Sequence, residues 1–266
     1  VTSPTQEEKG RAFRALHEGE PFVIPNPWDA GSARVLAALG FEALATTSSG
    51  FAFTLGRPDG AVGLEELLPH VRAVDRATSL PVSVDLENGF GPEPGDAARA
   101  IAAAAEAGAV GGSIEDFGEP EGIYPLDRAV ERVAAAAEAA GCLDVDFVFT
   151  ARAENHIRGN PDLDDTIARL QAYERAGADV LYAPGLGSAE EVRAVCAAVG
   201  RPVNVLARPG LSLEEIAAAG ARRVSVGGSL AWTAVEAMAR AAEEIRDDGD
   251  FSGLASPERI KAWLAG

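Results

Sequence analysis

Two carboxylates stand two residues apart at the end of the apolar run PVSVDLE (81–87), Asp85 and Glu87, and a third, Glu115, lies at the end of VGGSIED (110–116). If both runs are strands, Asp85 and Glu87 face the same way, because side chains alternate across a strand. Glu115 on a neighbouring strand can join them. Carboxylates brought together repel one another unless a proton or a cation sits among them. Hard oxygen ligands with water in the remaining positions suit Mg²⁺, with Mn²⁺ as a substitute. The other reading of such acids is that they cap the following helices or pair with arginine, and Asp116 reads as a cap or structural partner. Arg152 follows the apolar run FVFTA. Buried there, its permanent charge needs an anion, either the carboxylates or an anionic substrate, and it can also stabilise an enolate oxygen. Its structural alternative is an ion pair with Glu154 or Glu115. In TTSSGFA (46–52), Ser49 Oγ and the N–H groups of Gly50 and Phe51 can cradle a carboxylate. His156 lies four residues after Arg152 and is a candidate binding residue, as is Asn204 near the end of a later run; His17 and His70 read as surface groups. The turn GGS (227–229) either holds a phosphate or caps the last helix.

The elements that must position these residues recur regularly. Apolar or β-branched runs lie at 22–26, 42–47, 81–87, 110–116, 147–154, 179–185, 202–207 and 223–228. Between them are alanine-rich amphipathic segments near 29–39, 64–78, 96–107, 127–140, 162–176, 188–199, 213–219 and 229–246. Asp29, Asp96, Asp127 and Ser188 suit their starts, and Gly40, Gly108, Gly141, Gly177, Gly200 and Gly220 suit left-handed ends. The strands are continuous apolar runs, as parallel strands covered on both faces should be. Eight such units predict a single (β/α)8 barrel of the TIM type over about 20–246, with a short helix at 5–17 before it and a helical tail at about 247–266 anchored by Trp263 and Leu264. Sites in such barrels lie at the C-terminal ends of the strands, where the residues above fall.

Composition removes several classes of function. The chain has 266 residues, and at 47% hydrophobic and 24% charged it is neither disordered nor a disulfide scaffold. No apolar stretch reaches a membrane span and no apolar leader is present, so the expected compartment is the cytoplasm. A net charge of −18 disfavours nucleic-acid and anionic-membrane partners while leaving a divalent cation welcome. Lys9 and Lys261, the only lysines, sit near the chain ends, so no interior amine is available for Schiff-base chemistry. Any carbanion would need a metal or an arginine as its sink. Cys142 and Cys196 lack metal-ligand spacing and read as buried structural thiols.

NPWDAGSARVLAALGFEALATTSSG, PVSVDLENGFG, GGSIED and TARAE occur in that order on successive expected strands. With these motifs the chain resembles the isocitrate lyase/phosphoenolpyruvate mutase superfamily over almost its full length. The resemblance implies a (β/α)8 barrel, Mg²⁺, substrates passing through a pyruvate-like enolate, and dimers or tetramers that exchange C-terminal helices. It implies that Ser49, Gly50 and Phe51 hold the substrate carboxylate, and that Asp59 in GRPDG lies near the metal. By the same resemblance Asp85 and Glu115 match family acids, Glu87 replaces the aspartate that is the usual direct ligand, and Arg152 matches the family arginine. The lyase branch carries Lys-Lys/Arg-Cys-Gly-His on a gating loop after the fourth strand, and the mutase branch a lysine and an asparagine. Here the segment reads FGEPEGIYPLD, with Tyr124 as its one obvious proton donor. The implied activity is Mg²⁺-dependent carbon–carbon cleavage of a short 2-hydroxy or 2-oxo di- or tricarboxylate, of isocitrate/methylisocitrate lyase or oxaloacetate decarboxylase type. The alternatives are phosphonopyruvate mutase or hydrolase chemistry, or a catalytically weak 2-oxo acid binding protein.

Overall fold

The computed structural model describes residues 3–265. In chain order the elements are α1 (Gln6–Leu16), β1 (Phe22–Ile24), α2 (Ala30–Ala38), β2 (Leu44–Ala45), α3 (Ser48–Thr54), α4 (Leu64–Ala77), β3 (Val82–Asp85) and α5 (Pro94–Glu106). β4 (Gly111–Glu115) follows, then a small hairpin of β5 (Phe117–Gly118) and β6 (Gly122–Ile123), then α6 (Leu126–Gly141), β7 (Val148–Arg152) and α7 (Leu163–Arg175). The chain continues through β8 (Val180–Tyr182), α8 (Ala189–Ala198), β9 (Val203–Leu206), α9 (Leu213–Ala218), β10 (Arg223–Ser225), α10 (Ser229–Asp248) and α11 (Glu258–Ala265).

Eight strands pair in parallel in the order β1-β10-β9-β8-β7-β4-β3-β2. The ring is closed by the Ala45 N–H donating to the Pro25 carbonyl at 3.1 Å, giving a (β/α)8 barrel. Local chemistry explains the boundaries. Asp29 accepts from the Ser32 N–H at 2.6 Å and Ser188 from the Glu191 N–H at 3.2 Å, so both cap their helices. Gly108 and Gly177, both at φ +105°, terminate α5 and α7 in the left-handed conformation. Gly141, expected to do the same, is instead the last residue of α6. The second strand is shorter than its apolar run because Thr47 accepts from the Gly50 N–H and starts α3 where a turn was expected. α5 and α6 meet along small side chains, among them Ala100, Ala104, Ala129 and Ala136, which let two helices pack closely against the barrel.

α1 covers the N-terminal end of the barrel. Phe13 is fully buried beside Val110, Val148 and Val180, a burial that contributes about 2 kcal/mol. Lys9 reaches Asp75 at 2.7 Å, and Arg14 reaches Asp146 and Asp179. Three sequence expectations change here. His17 and His70 are buried, the first under α1 and the second stacked on Phe51 at 3.9 Å between centroids, because each lies on the inward face of its helical segment. Cys142 is exposed, since it caps α6 at the surface, and Cys196 is half-buried. At the other end of the chain α11 lies against α2, where Arg34 Nη1 donates to the Leu264 carbonyl at 2.8 Å. Among the described residues no helix is long and apolar enough to cross a membrane.

The His17 ring has a defined protonation state. Nδ1 faces the Phe13 carbonyl at 2.8 Å and must donate, so Nε2 accepts from Arg223 Nη1 at 3.3 Å. Burial, then the Arg223 charge, pushes the imidazole down from 6.5 to about 3. With the folded value depressed, the unfolded chain binds the proton first as the pH falls. This stabilisation is therefore intact above about pH 6.5 and is lost towards pH 3. Between pH 7 and pH 5 the group should remove about 2 kcal/mol from the unfolding free energy. Urea titrations at the two pH values should show that loss in the parent and a loss about 2 kcal/mol smaller in His17→Gln; equal losses in both proteins would refute the assignment.

Candidate active site

The C-terminal mouth of the barrel is organised around Arg152, the last residue of β7. Its Nη1 lies 2.9 Å from Asp85 Oδ1, and its Nη2 lies 3.0 Å from Glu115 Oε2 and 2.8 Å from Glu154 Oε1. Parallel register produces this convergence, because Glu115 pairs with Arg152 across β4 and β7, and Asp85 with Ser113 across β3 and β4. The guanidinium also lies 5.2 Å from the centroid of the Tyr182 ring. Three carboxylates hold its pKa well above the ordinary arginine value despite burial, so it is always charged. A second guanidinium, Arg158, contacts Glu115 at 3.3 Å and Glu154 at 3.2 Å. The metal expectation for Glu115 is modified accordingly: its two oxygens face Arg158 and Arg152, and Arg152 stands between it and Asp85.

Glu87 also reaches the site differently from the sequence expectation. β3 ends at Asp85, and Glu87 adopts φ +48°, so simple strand alternation does not orient it. Its carboxyl is pushed up to about 8, first by burial and then by Asp85 and Asp59. Asp59, Asp85 and Glu87 thus crowd one another, with an oxygen-only donor set that suits a hard divalent cation. Among the described residues no group of three or more acidic, histidine or cysteine side chains is arranged so that it could hold a metal ion as it stands. Asp85 and Glu87, with Asp59 beside them, are the oxygen donors that would hold such a cation.

Two connected spaces open here, sharing Ser48, Asp59 and Arg152. The outer one, about 880 Å³, lies between Glu87, Glu115, Arg158 and the β5–β6 hairpin. The inner one, about 180 Å³, runs down the barrel axis past Ser49, Asp85 and Tyr182 to Asn204. The Gly50 and Phe51 N–H groups do not point into either as a free cradle. They donate to Thr47 Oγ1 and to the Thr47 carbonyl in the first turn of α3, which leaves Ser48 and Ser49 facing the space. His156 lies outside both, held by Thr166 Oγ1 at 2.9 Å. Asp116 accepts from Arg169, Tyr173 and the Glu154 N–H and is structural, as its sequence position suggested.

The sequence matches the phosphoenolpyruvate phosphomutase family over residues 13–246. The chain belongs to this family. Within the isocitrate lyase/phosphoenolpyruvate mutase superfamily, it is 32% identical over 263 residues to an oxaloacetate decarboxylase of Rhodopseudomonas palustris, covering 93% of this chain and 89% of that one. A solved structure from Burkholderia cenocepacia, provisionally assigned as a lyase or mutase, is 55% identical with a TM-score of 0.95 over 98% of this chain and 97% of that one. A phosphonopyruvate hydrolase solved with oxalate and Mg²⁺ is 25% identical with a TM-score of 0.86, over 98% and 95%.

In this family member the segment after β4 is the β5–β6 hairpin, latched by Arg158 lying 3.8 Å from the Phe117 ring centroid. Tyr124 borders the outer cavity but is buried behind the hairpin, its ring lying 4.8 Å from the Arg128 and 5.0 Å from the Arg132 guanidinium carbon. Its hydroxyl accepts from Asn88 Nδ2 at 3.1 Å. Glu154 was named from the sequence only as a structural partner for Arg152 and Arg158 not at all, although their i, i+4 spacing with opposite charge was a usable signal. A methyl group at Gly118 would run into the Tyr124 hydroxyl and approach Asn88 Nδ2 to 2.7 Å. Gly118→Ala should therefore destabilise by about 1–3 kcal/mol, and Tyr124→Phe should recover part of that loss in the double variant. Strictly additive effects in the thermodynamic cycle would show that the wedge is absent.

Proposed function

We propose that the chain is a divalent-cation-dependent lyase that decarboxylates a short 2-oxo dicarboxylate of the oxaloacetate type through a pyruvate-like enolate. One observation carries this choice among the superfamily's reactions. Among the described residues, both connected spaces are lined without a single lysine, cysteine or histidine. Cleaving a 2-hydroxy acid needs a base for its hydroxyl proton and an acid for the departing carbanion, roles that would fall here to carboxyl groups and to the Tyr124 phenol behind the hairpin. Decarboxylation needs neither, only positive charge where the 2-oxygen becomes negative. The relatives support the class: the R. palustris enzyme is an oxaloacetate decarboxylase, and the phosphonopyruvate hydrolase binds oxalate with Mg²⁺.

A cation held by Asp85 and Glu87 would supply Lewis-acid polarisation of the 2-oxo group. Arg152 provides a second, permanent charge at the same oxygen, and the carboxylates around it fix its orientation. The electrons of the breaking carbon–carbon bond move towards the 2-oxo group, carbon dioxide leaves, and the enolate carbon takes a proton from water. Ser48 and Ser49 line the space beside Asp85 and orient the substrate through hydroxyl hydrogen bonds. Pyruvate release from oxaloacetate with Mg²⁺, measured above the metal-only background, should fall at least about 100-fold in both Asp85→Asn and Arg152→Lys. Turnover that survives either change, or consumption of phosphonopyruvate alone, would overturn the assignment.

We further propose that the chain works as a homo-oligomer. Trp232, Met238, Phe251, Leu254 and Ile260 leave large apolar surface exposed along α10 and the tail, an area that a second copy would cover. Light scattering should give a dimer or tetramer at micromolar concentration; a monomer refutes it.

A further inference from the structure

The segment between β3 and α5, residues 86–93, carries Glu87 and contributes part of the wall of the outer cavity. It has neither strand nor helix to hold its backbone. Glu87, Gly89 and Phe90 are all left-handed, at φ +48°, +82° and +60°. Residues with side chains adopt that conformation where their surroundings hold them in it. Those surroundings can be traced bond by bond. On the side of β4 the Glu87 carbonyl accepts from the Glu115 N–H at 2.9 Å, and the Glu87 N–H donates to Asp85 Oδ1 at 3.3 Å. Beyond Glu87 the bonds from β4 end, and a single guanidinium takes over.

It belongs to Arg132, on the buried face of α6. Nη1 donates to the carbonyls of Gly91 at 2.8 Å and Glu93 at 3.0 Å, and Nη2 donates to the Asn88 carbonyl. Nε has no partner among the described residues. The Tyr124 ring centroid lies 5.0 Å from the guanidinium carbon, and the Tyr124 hydroxyl accepts from Asn88 Nδ2. The residue after Glu87 is therefore fixed through its carbonyl and through its side chain. Other buried cations are placed differently: Arg152, Arg169 and Lys9 each meet a carboxylate, whereas Arg132 meets backbone carbonyls. Charge-assisted bonds to three peptides make it a strap across an irregular stretch. Arg132 itself lines neither cavity.

We propose that Arg132 is a positioning residue for the cation site. By tying down the backbone that follows Glu87, it keeps the Glu87 carboxylate beside Asp85 and raises the affinity for a divalent cation that it never touches. This rests on the reading that Asp85 and Glu87 hold such a cation. Groups that orient metal ligands from behind commonly matter to metal affinity by about 10- to 100-fold.

The test is Mn²⁺ binding to the metal-free full chain, followed by the electron paramagnetic resonance signal of the free ion. It compares the parent with Arg132→Lys and Arg132→Met, and each with its Glu87→Gln counterpart. Lysine keeps the charge and its donors and loses no hydrogen bond at Nε, so Arg132→Lys keeps the test valid if Arg132→Met fails to fold. One ammonium does not reproduce the fork that reaches three carbonyls. Mn²⁺ affinity should fall at least about threefold in Arg132→Lys and at least about tenfold in Arg132→Met. With Glu87→Gln already in place, the same changes at Arg132 should cost no further affinity, because they act through Glu87. A smaller fall in Arg132→Lys overturns the proposal, and so does an equal fall in the Glu87→Gln background, which would make Arg132 a support of the fold at large. Either result leaves the cation reading intact. If the parent does not bind Mn²⁺, that reading fails and the positioning role falls with it.

Discussion

One buried guanidinium organises the mouth of this barrel. Arg152 joins Asp85 at the end of β3, Glu115 at the end of β4 and Glu154 just beyond β7, so it ties three segments through charge-assisted hydrogen bonds. Removing it would strand three carboxylates in a poorly solvated site, which is the costly way to break a buried ionic network. The same arrangement shapes the surroundings. Arg158 takes the outer oxygens of Glu115 and Glu154 and then lies over Phe117, so the short hairpin after β4 is fastened to the network rather than left as a loose loop. On the other side burial and the neighbouring Asp85 and Asp59 push the Glu87 carboxyl up, a repulsion that a divalent cation would relieve.

Below the mouth the barrel gives up apolar filling for polar groups. Serine, asparagine and arginine replace the usual branched layers, and the packing deficit leaves an axial cavity. α1 compensates from beneath by burying Phe13 and by supplying His17 as a neutral acceptor for Arg223. A helix outside the strand–helix repeat closes the barrel, and its neighbouring imidazole must stay uncharged for the guanidinium above it to be tolerated.

Much of this plan was legible in the sequence, and the reasons differ by feature. Continuous apolar runs separated by capped, alanine-rich segments specify parallel strands and covering helices, because both patterns depend on near neighbours along the chain. Asp85, Glu115 and Arg152 could be located because barrel topology puts strand ends on one rim. Glu87 was found for the wrong geometric reason: its left-handed backbone, not strand alternation, turns it into the site. The stretch after β2 was read as a turn because the Thr47 cap competes with its small residues, and the resulting helix consumes the Gly50 and Phe51 N–H groups. His156 was close to Arg152 in sequence, yet Thr166 draws it away.

By itself, the sequence determined the repeat of strand and helix, the absence of an interior amine, and the acids and arginine available at the strand ends. These follow from residue type, period and count, which need no knowledge of distant contacts. Only the tertiary structure decided which charges answer one another. Arg152 meets three carboxylates, whereas Arg223 meets neutral groups contributed by positions 17, 150 and 204. A buried charge is governed by what surrounds it in space, and in a closed barrel those surroundings come from segments more than a hundred residues apart.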